Sequence, residues 1–177
     1  MRVEVKLGDI LEEPADILIC STNVYLQQSG GVGGEILRRY GDTMQQSLNR
    51  CLIDRGLKYV AQGEVIETAG AGTPFKHVLH AVAVDVWYRS SAQIISRVLQ
   101  TAFKMTSELR AKKVAVVALA TGFGRLSMSE FGKGLATALM ADYKPLEVIA
   151  VIVRQQEHAE IIREELRQLP SHHVIAE

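Results

Sequence analysis

Two glycine-bearing runs hold the residues best suited to chemistry. The first is Ser21-Thr22-Asn23-Val24-Tyr25-Leu26-Gln27-Gln28-Ser29-Gly30-Gly31-Val32-Gly33-Gly34-Glu35-Ile36. It leaves an apolar, strand-like stretch, carries four glycines within five residues and runs straight into a helical pattern. Glycines there permit positive φ and close approach of backbone amides to a ligand, and a helix start adds about half a positive charge. The combination suits a phosphate, although a tight turn with glycines for packing uses the same residues. The run lacks both the Lys-Ser/Thr of a P-loop and the spacing of the dinucleotide fingerprint. The second run, Ala118-Leu119-Ala120-Thr121-Gly122-Phe123-Gly124-Arg125-Leu126, also follows an apolar stretch and leads to Ser127 and Glu130, a capping-box pair. In open α/β sheets ligands sit beyond the carboxyl ends of the strands, so two such loops can face one crevice and grip a diphosphate from both sides. The plainer alternative for the second run is a turn that gives clearance to its neighbours.

Single side chains are less decisive. Asp9, in Gly8-Asp9-Ile10, either accepts hydrogen bonds from an exocyclic amino group or caps a turn. Asn23 offers a donor and an acceptor just past its strand, for a ribose hydroxyl, a water or its own loop. His80 sits late in an apolar stretch, where a buried, satisfied histidine is the simpler reading. Trp87-Tyr88 reads as packing, with the option of an aromatic at the cleft. Cys20 and Cys51 lie in apolar surroundings without paired spacing, and His77, His158, His172 and His173 show no ligand spacing with acids or cysteines; no metal and no cofactor are expected.

The elements that must position these residues follow from hydrophobic period. Short, mostly β-branched runs at Arg2 to Leu7, Asp16 to Cys20, Gly63 to Thr68, His77 to Val84, Lys113 to Leu119 and Glu147 to Val153 predict six strands. Between them, helical spacing predicts two helices from Gly33 to about Arg55 broken near Gly41, one over Ala92 to Ala111, one opened by Ser127, and one over His158 to Leu169 stopped by Pro170. Strands alternating with helices define an α/β domain, and 177 residues with no long linker suit one domain, 1–177. Twenty Lys+Arg balance twenty Asp+Glu. No global field therefore pulls the chain onto nucleic acid or anionic lipid, and a partner must be recognised locally. Neither a secretory leader nor an apolar run of membrane-span length is present, so a cytoplasmic location is expected.

In order and spacing the chain resembles a macro domain. The resemblance is carried by Gly8-Asp9-Ile10, by Ala15-Asp16-Ile17-Leu18-Ile19 running on to Asn23, by Gly30-Gly31-Val32-Gly33-Gly34-Glu35-Ile36, by Gly63 with Thr68, by Val78-Leu79-His80-Ala81-Val82 and by Thr121-Gly122-Phe123-Gly124. It implies a three-layer α/β/α sandwich around a mixed, roughly six-stranded sheet that binds ADP-ribose or a derivative at strand ends. By the same resemblance, Asp9 would hold the adenine amino group with Ile10 beside the base. Asn23 would contact the terminal ribose and is the one candidate catalytic residue. Gly30, Gly31, Val32, Gly33 and Gly34 would cradle diphosphate and ribose, while Ala120, Thr121, Gly122, Phe123 and Gly124 would close from the other side, with Phe123 against a sugar.

Three departures bear on activity. Hydrolysing relatives often carry an Asp where this chain has Gly33, Glu35 replaces a small residue, and Ala120 replaces a glycine. The resemblance therefore implies ADP-ribose binding with slow hydrolysis of protein or nucleic-acid conjugates, of the 1″-phosphate or of the O-acetyl ester. The alternatives are a non-catalytic ADP-ribose reader and an interaction domain that has lost its ligand.

Overall fold

In the computed structural model, which describes residues 1–167 and the strand Val174–Ala176, the β-branched runs form one sheet. Its strands are β1 (Arg2–Leu7), β2 (Ile17–Thr22), β3 (Val65–Ala69), β4 (His77–Val82), β5 (Lys113–Val117), β6 (Val148–Val153) and β7 (Val174–Ala176), in the order β3-β4-β2-β5-β6-β1-β7. The six expected strands are all present, and β7 adds a seventh at the edge, parallel to β1. β3 runs antiparallel to β4. The other pairs are parallel, so the sheet is mixed as expected.

The helices are α1 (Gly31–Tyr40), α2 (Thr43–Asp54), α3 (Ala92–Glu108), α4 (Met128–Ala138) and α5 (Gln156–Leu166). Gly41, at φ 80°, breaks α1 from α2 as the sequence suggested. Ser91 and Ser127 cap α3 and α4 by accepting the N–H of Ile94 and Glu130. The expected continuation of the last helix to Leu169, its stop at Pro170, and His172 and His173 lie outside the described residues.

Alternation at period two sorts each strand onto two layers. Ile17, Ile19, Val114, Val116, Ile149 and Val151 pack under α3, α4 and α5, in a core that includes the fully buried Phe103 and Phe131. Leu18, Cys20, Val78, Ala115 and Ala150 face the other way, under Ile36 of α1 and Met44 of α2. The result is an α/β/α sandwich. Among the described residues no helix is long and apolar enough to cross a membrane.

This topology sets the site. β2 and β5 are parallel neighbours, so the chain leaves both at the same end of the sheet, side by side, and each exit is one of the glycine-bearing loops.

Candidate functional site

The first loop is built by its own polar groups. Asn23, buried at the end of β2, accepts the N–H of Tyr25 (3.0 Å) and of Gln27 (3.3 Å) on Oδ1, while its backbone carbonyl accepts Leu26 N–H (3.0 Å). Both lone pairs of the side-chain carbonyl are thus used locally, which leaves the two N–H of the amide as the groups Asn23 can turn to a ligand. Gln45 of α2 clamps the far side, accepting Gln28 N–H at 2.7 Å and donating to the Leu26 carbonyl at 3.0 Å. Val24 and Leu26 anchor the loop in a small core with Leu48, Val60 and Val82.

α1 then begins without a side-chain cap and without an acid in its first turn. Its first amides are orphans of the helical pattern and carry the positive end of the dipole. Gly31 sits at φ +55°, and a Cβ built on it meets nothing within 4 Å. The amides therefore stand open, as an anion site requires.

The second loop is drawn tight by Leu126 N–H to the Ala120 carbonyl (3.1 Å) and Arg125 N–H to the Gly122 carbonyl (3.1 Å). Gly124 is needed for that closure, because a Cβ there would lie 2.4 Å from the Ala120 carbonyl oxygen. None of the N–H groups from 121 to 124 donates in the bonds that hold the loop. Phe123, 72% exposed, lays its ring against Gly30, where a Cβ would sit 2.4 Å from Phe123 Cε2. The ring joins the two loops into one rim.

Between them lies a cavity of about 200 Å³. Asn23, Gly30, Gly31 and Val32 line it from the first loop, and Ala120, Gly122, Phe123 and Gly124 from the second. Five other sequence candidates stand outside the lining. Thr121 folds back, its hydroxyl donating to the Ala118 carbonyl at 2.8 Å. Gly33 and Gly34 lie on the helix side, where Gln28 and Ser29 pack over them. Ile10 is buried in the layer beneath α1. Asp9 caps its own short turn by accepting Leu11 N–H at 3.0 Å, and it pairs with Arg39 near the end of α1. Burial would raise the Asp9 carboxyl, but the Leu11 amide and the Arg39 guanidinium outweigh it and hold it below its ordinary value.

The cavity also has walls beyond the named candidate site residues. Ser21, Thr22, Gln27 and Ser29 add neutral polar groups, and Thr22 Oγ1 is buried without a protein partner. Val84, Val117 and Ala118 are apolar wall from strand ends. Tyr88 also lines it, placed by a loop in which Asp85 accepts the N–H of Trp87 (2.9 Å) and Arg89 (2.8 Å). Tyr88 reaches Phe123, ring centroids 6.4 Å apart.

No carboxylate, imidazole or thiol is among the lining groups. Glu35 is paired with Arg38 and Arg39, and those guanidiniums, Arg38 first, hold its carboxyl down to about 2. It is no base. His80 is fully enclosed away from the cavity, its Nε2 3.0 Å from Thr68 Oγ1 and its Nδ1 3.6 Å from Cys20 Sγ. Burial pulls His80 down to about 4 and pushes the Cys20 thiol up to about 12. Both groups are therefore neutral, and the trio is a core hydrogen-bond chain instead of a thiolate–imidazolium pair.

Ala120 carries a measurable cost. At φ 62° it occupies the left-handed region that most L-residues avoid. Ala120→Gly is expected to change stability by between zero and about 1 kcal/mol in the favourable direction, instead of the usual loss of about that size when glycine replaces alanine. Denaturant midpoints of the two proteins decide it.

A doubly covered, mixed sheet with a pocket of open amides at adjacent parallel strand ends defines an α/β/α sandwich with its candidate site at those strand ends. The macro domain family model matches residues 19–133, and the chain belongs to that family. An O-acetyl-ADP-ribose deacetylase of Klebsiella pneumoniae is 27% identical over 176 residues, covering 96% of this chain and 99% of that protein. An uncharacterized protein of Thermotoga maritima is 30% identical over 124 residues, 68% of this chain, and the matched part spans only 20% of its length. Among solved structures, a glycine-to-valine mutant of the Oceanobacillus iheyensis macrodomain with ADPR shares the fold at a TM-score of 0.78 and 20% identity, over 93% of this chain and 90% of that one.

Proposed function

We propose that the cavity binds ADP-ribose or a derivative through its diphosphate and terminal ribose, and that any hydrolysis of the ribose substituent is slow and rests on positioning alone. The observation that carries this reading is the convergence of two sets of free amides, from α1's first turn and from the loop 121–124, on one cavity that holds Gly31 and Gly122 together. Backbone amides suit a diphosphate because they bring positive dipole without the desolvation cost of a buried cation. The Asn23 amide N–H groups stand at the same cavity and supply donors for a ribose hydroxyl or a water. Support also comes from the deacetylase name of the Klebsiella relative and from the ADPR in the Oceanobacillus structure.

The chemistry available is limited by the lining. With no titratable carboxylate or imidazole at the cavity, water can be oriented but not deprotonated by a side chain. Turnover of O-acetyl-ADP-ribose or ADP-ribose 1″-phosphate is therefore expected to vary little between pH 5.5 and 8 once the substrate's own ionisation is allowed for. A bell-shaped profile would mean a catalytic acid or base that this lining lacks.

Asn23→Asp separates the two jobs of the side chain. The aspartate keeps an acceptor for the Tyr25 and Gln27 amides but removes the donors and adds a negative charge beside the diphosphate. The variant is expected to fold normally and bind ADP-ribose at least about 10-fold more weakly. Unchanged affinity in calorimetric titration would remove Asn23 from the site.

A further inference from the structure

The cavity does not end at its aromatic rim. Tyr88, Phe123 and Gly124 also wall a second, more open recess of about 600 Å³, completed by Trp87, Arg89 and Arg125 with Glu130 at one side. The strand order places this recess. The Trp87 loop follows β4 and Asp9 follows β1, with β2, β5 and β6 between them. Four interstrand steps separate β4 from β1, roughly 19 Å at the usual spacing. The two glycine-bearing loops, after β2 and β5, lie in between. A ligand with its diphosphate on those loops and its terminal ribose at Asn23, just past β2 and beside β4, directs that ribose's substituent to the Trp87 side. This step rests on the ADP-ribose reading proposed above. Whatever the far ribose carries must then enter the second recess.

The recess has a definite chemistry. Trp87 is 72% exposed, an unusual state for the chain's single tryptophan. It is nevertheless held in place, because Asp85 fixes the loop backbone and Arg89, itself bound to Asp85 at 3.0 Å, lies 4.7 Å over the indole. Arg125 makes no ion pair among the described residues. Ser90 Oγ is buried at the recess without a partner. Glu130 opposes these cations, but it is tied to the cap of α4 through Ser127. Exposed aromatic faces beside guanidiniums are what a nucleic-acid strand engages, by stacking a base and pairing a phosphate. An acyclic acidic or hydroxyl side chain of a modified protein would use little of this surface.

We propose that the second recess is a subsite for the terminal nucleotide of a nucleic-acid strand bearing ADP-ribose on its end phosphate, with the base on Trp87 and the phosphate at Arg125. The balanced net charge fits this selectivity, since no net positive field draws an unmodified strand to the protein.

Fluorescence titrations with four probes test the assignment: free ADP-ribose, a single-stranded oligonucleotide with ADP-ribose on its terminal phosphate, the same oligonucleotide unmodified, and an ADP-ribosylated peptide. The conjugated oligonucleotide is expected to bind about 10-fold tighter than free ADP-ribose, a gain in the range of one stacked base. That gain should vanish in Trp87→Ala, persist largely in Trp87→Phe, and shrink in Arg125→Gln with a flatter salt dependence. Free ADP-ribose should bind all four proteins within about two-fold, which also reports that the variants fold. Equal affinity for conjugate and free ligand, survival of the gain in Trp87→Ala, or an equal gain for the peptide each overturns the subsite while ADP-ribose binding stands. Loss of ADP-ribose binding by the unaltered chain overturns both readings together.

Discussion

Gly122→Val is expected to abolish ADP-ribose binding, by at least about 100-fold, while the protein unfolds within a few degrees of its original temperature. A Cβ at Gly122 meets nothing within 4 Å, and its backbone lies outside the left-handed region, so a side chain is accommodated without strain or clash. The open space it would enter is the cavity itself. Amide-to-phosphate hydrogen bonds need the oxygen near 2.9 Å, and an isopropyl group projecting between loop and ligand prevents that approach. Gly124 makes the instructive contrast. Its Cβ would lie 2.4 Å from the Ala120 carbonyl oxygen and 2.8 Å from Val84, so Gly124→Ala must deform the loop and should lower stability as well as affinity. Calorimetric titration paired with thermal unfolding separates the two. Retained binding in Gly122→Val would place the diphosphate away from this loop.

The second large effect concerns stability against pH. His80 is neutral in the fold because burial pulls it from 6.5 down to about 4. The unfolded chain takes up a proton as pH falls through 6.5, and the folded chain does not until about 4. Stability is therefore fully present above 6.5 and lost progressively on acidification, by about 2 kcal/mol between pH 6.5 and 5. Depressed carboxylates such as Asp9, Glu13 and Asp16 add further loss, but only lower, as pH falls below their unfolded values near 4. The interval from 6.5 to 5 thus separates the His80 contribution from that of the carboxylates. Urea midpoints across it should fall in the unaltered chain and stay nearly level in His80→Leu, whose overall stability is reduced by the unpaired Thr68 hydroxyl. A parallel fall in both proteins would assign the effect elsewhere.

What the sequence revealed was local, and what it concealed was long-range. Parallel strands covered on both faces must be apolar throughout, so β2, β5 and β6 announced themselves, and Gly41 and Ser127 marked helix ends by turn and cap chemistry. The α/β/α architecture needed the family resemblance, because hydrophobic period says which residues are inside but not which layer they face. β7 was too short, at three residues, to register. At the site, both glycine runs were visible as open amides. Invisible were the partners those residues find far along the chain. Asp9 caps its own turn, one of the two readings its sequence position offered, but nothing local foretold that Arg39, 30 residues on, also holds it. Gln28 gave no hint that it packs over Gly33, the position where hydrolysing relatives often carry an acid. The option of an aromatic at the cleft is met by Tyr88, but the Asp85 contacts that tie its loop at the end of β4 had no signature beyond an acid near an arginine.

The most direct measurement is isothermal titration of the full chain with ADP-ribose and, separately, with AMP. A grip on the linkage between two sugars requires ADP-ribose to bind with one-to-one stoichiometry and AMP, which keeps the adenine but lacks the second phosphate and ribose, to bind at least about 30-fold more weakly. Equal affinity for the two, or no heat from ADP-ribose, would show that the paired loops hold something else.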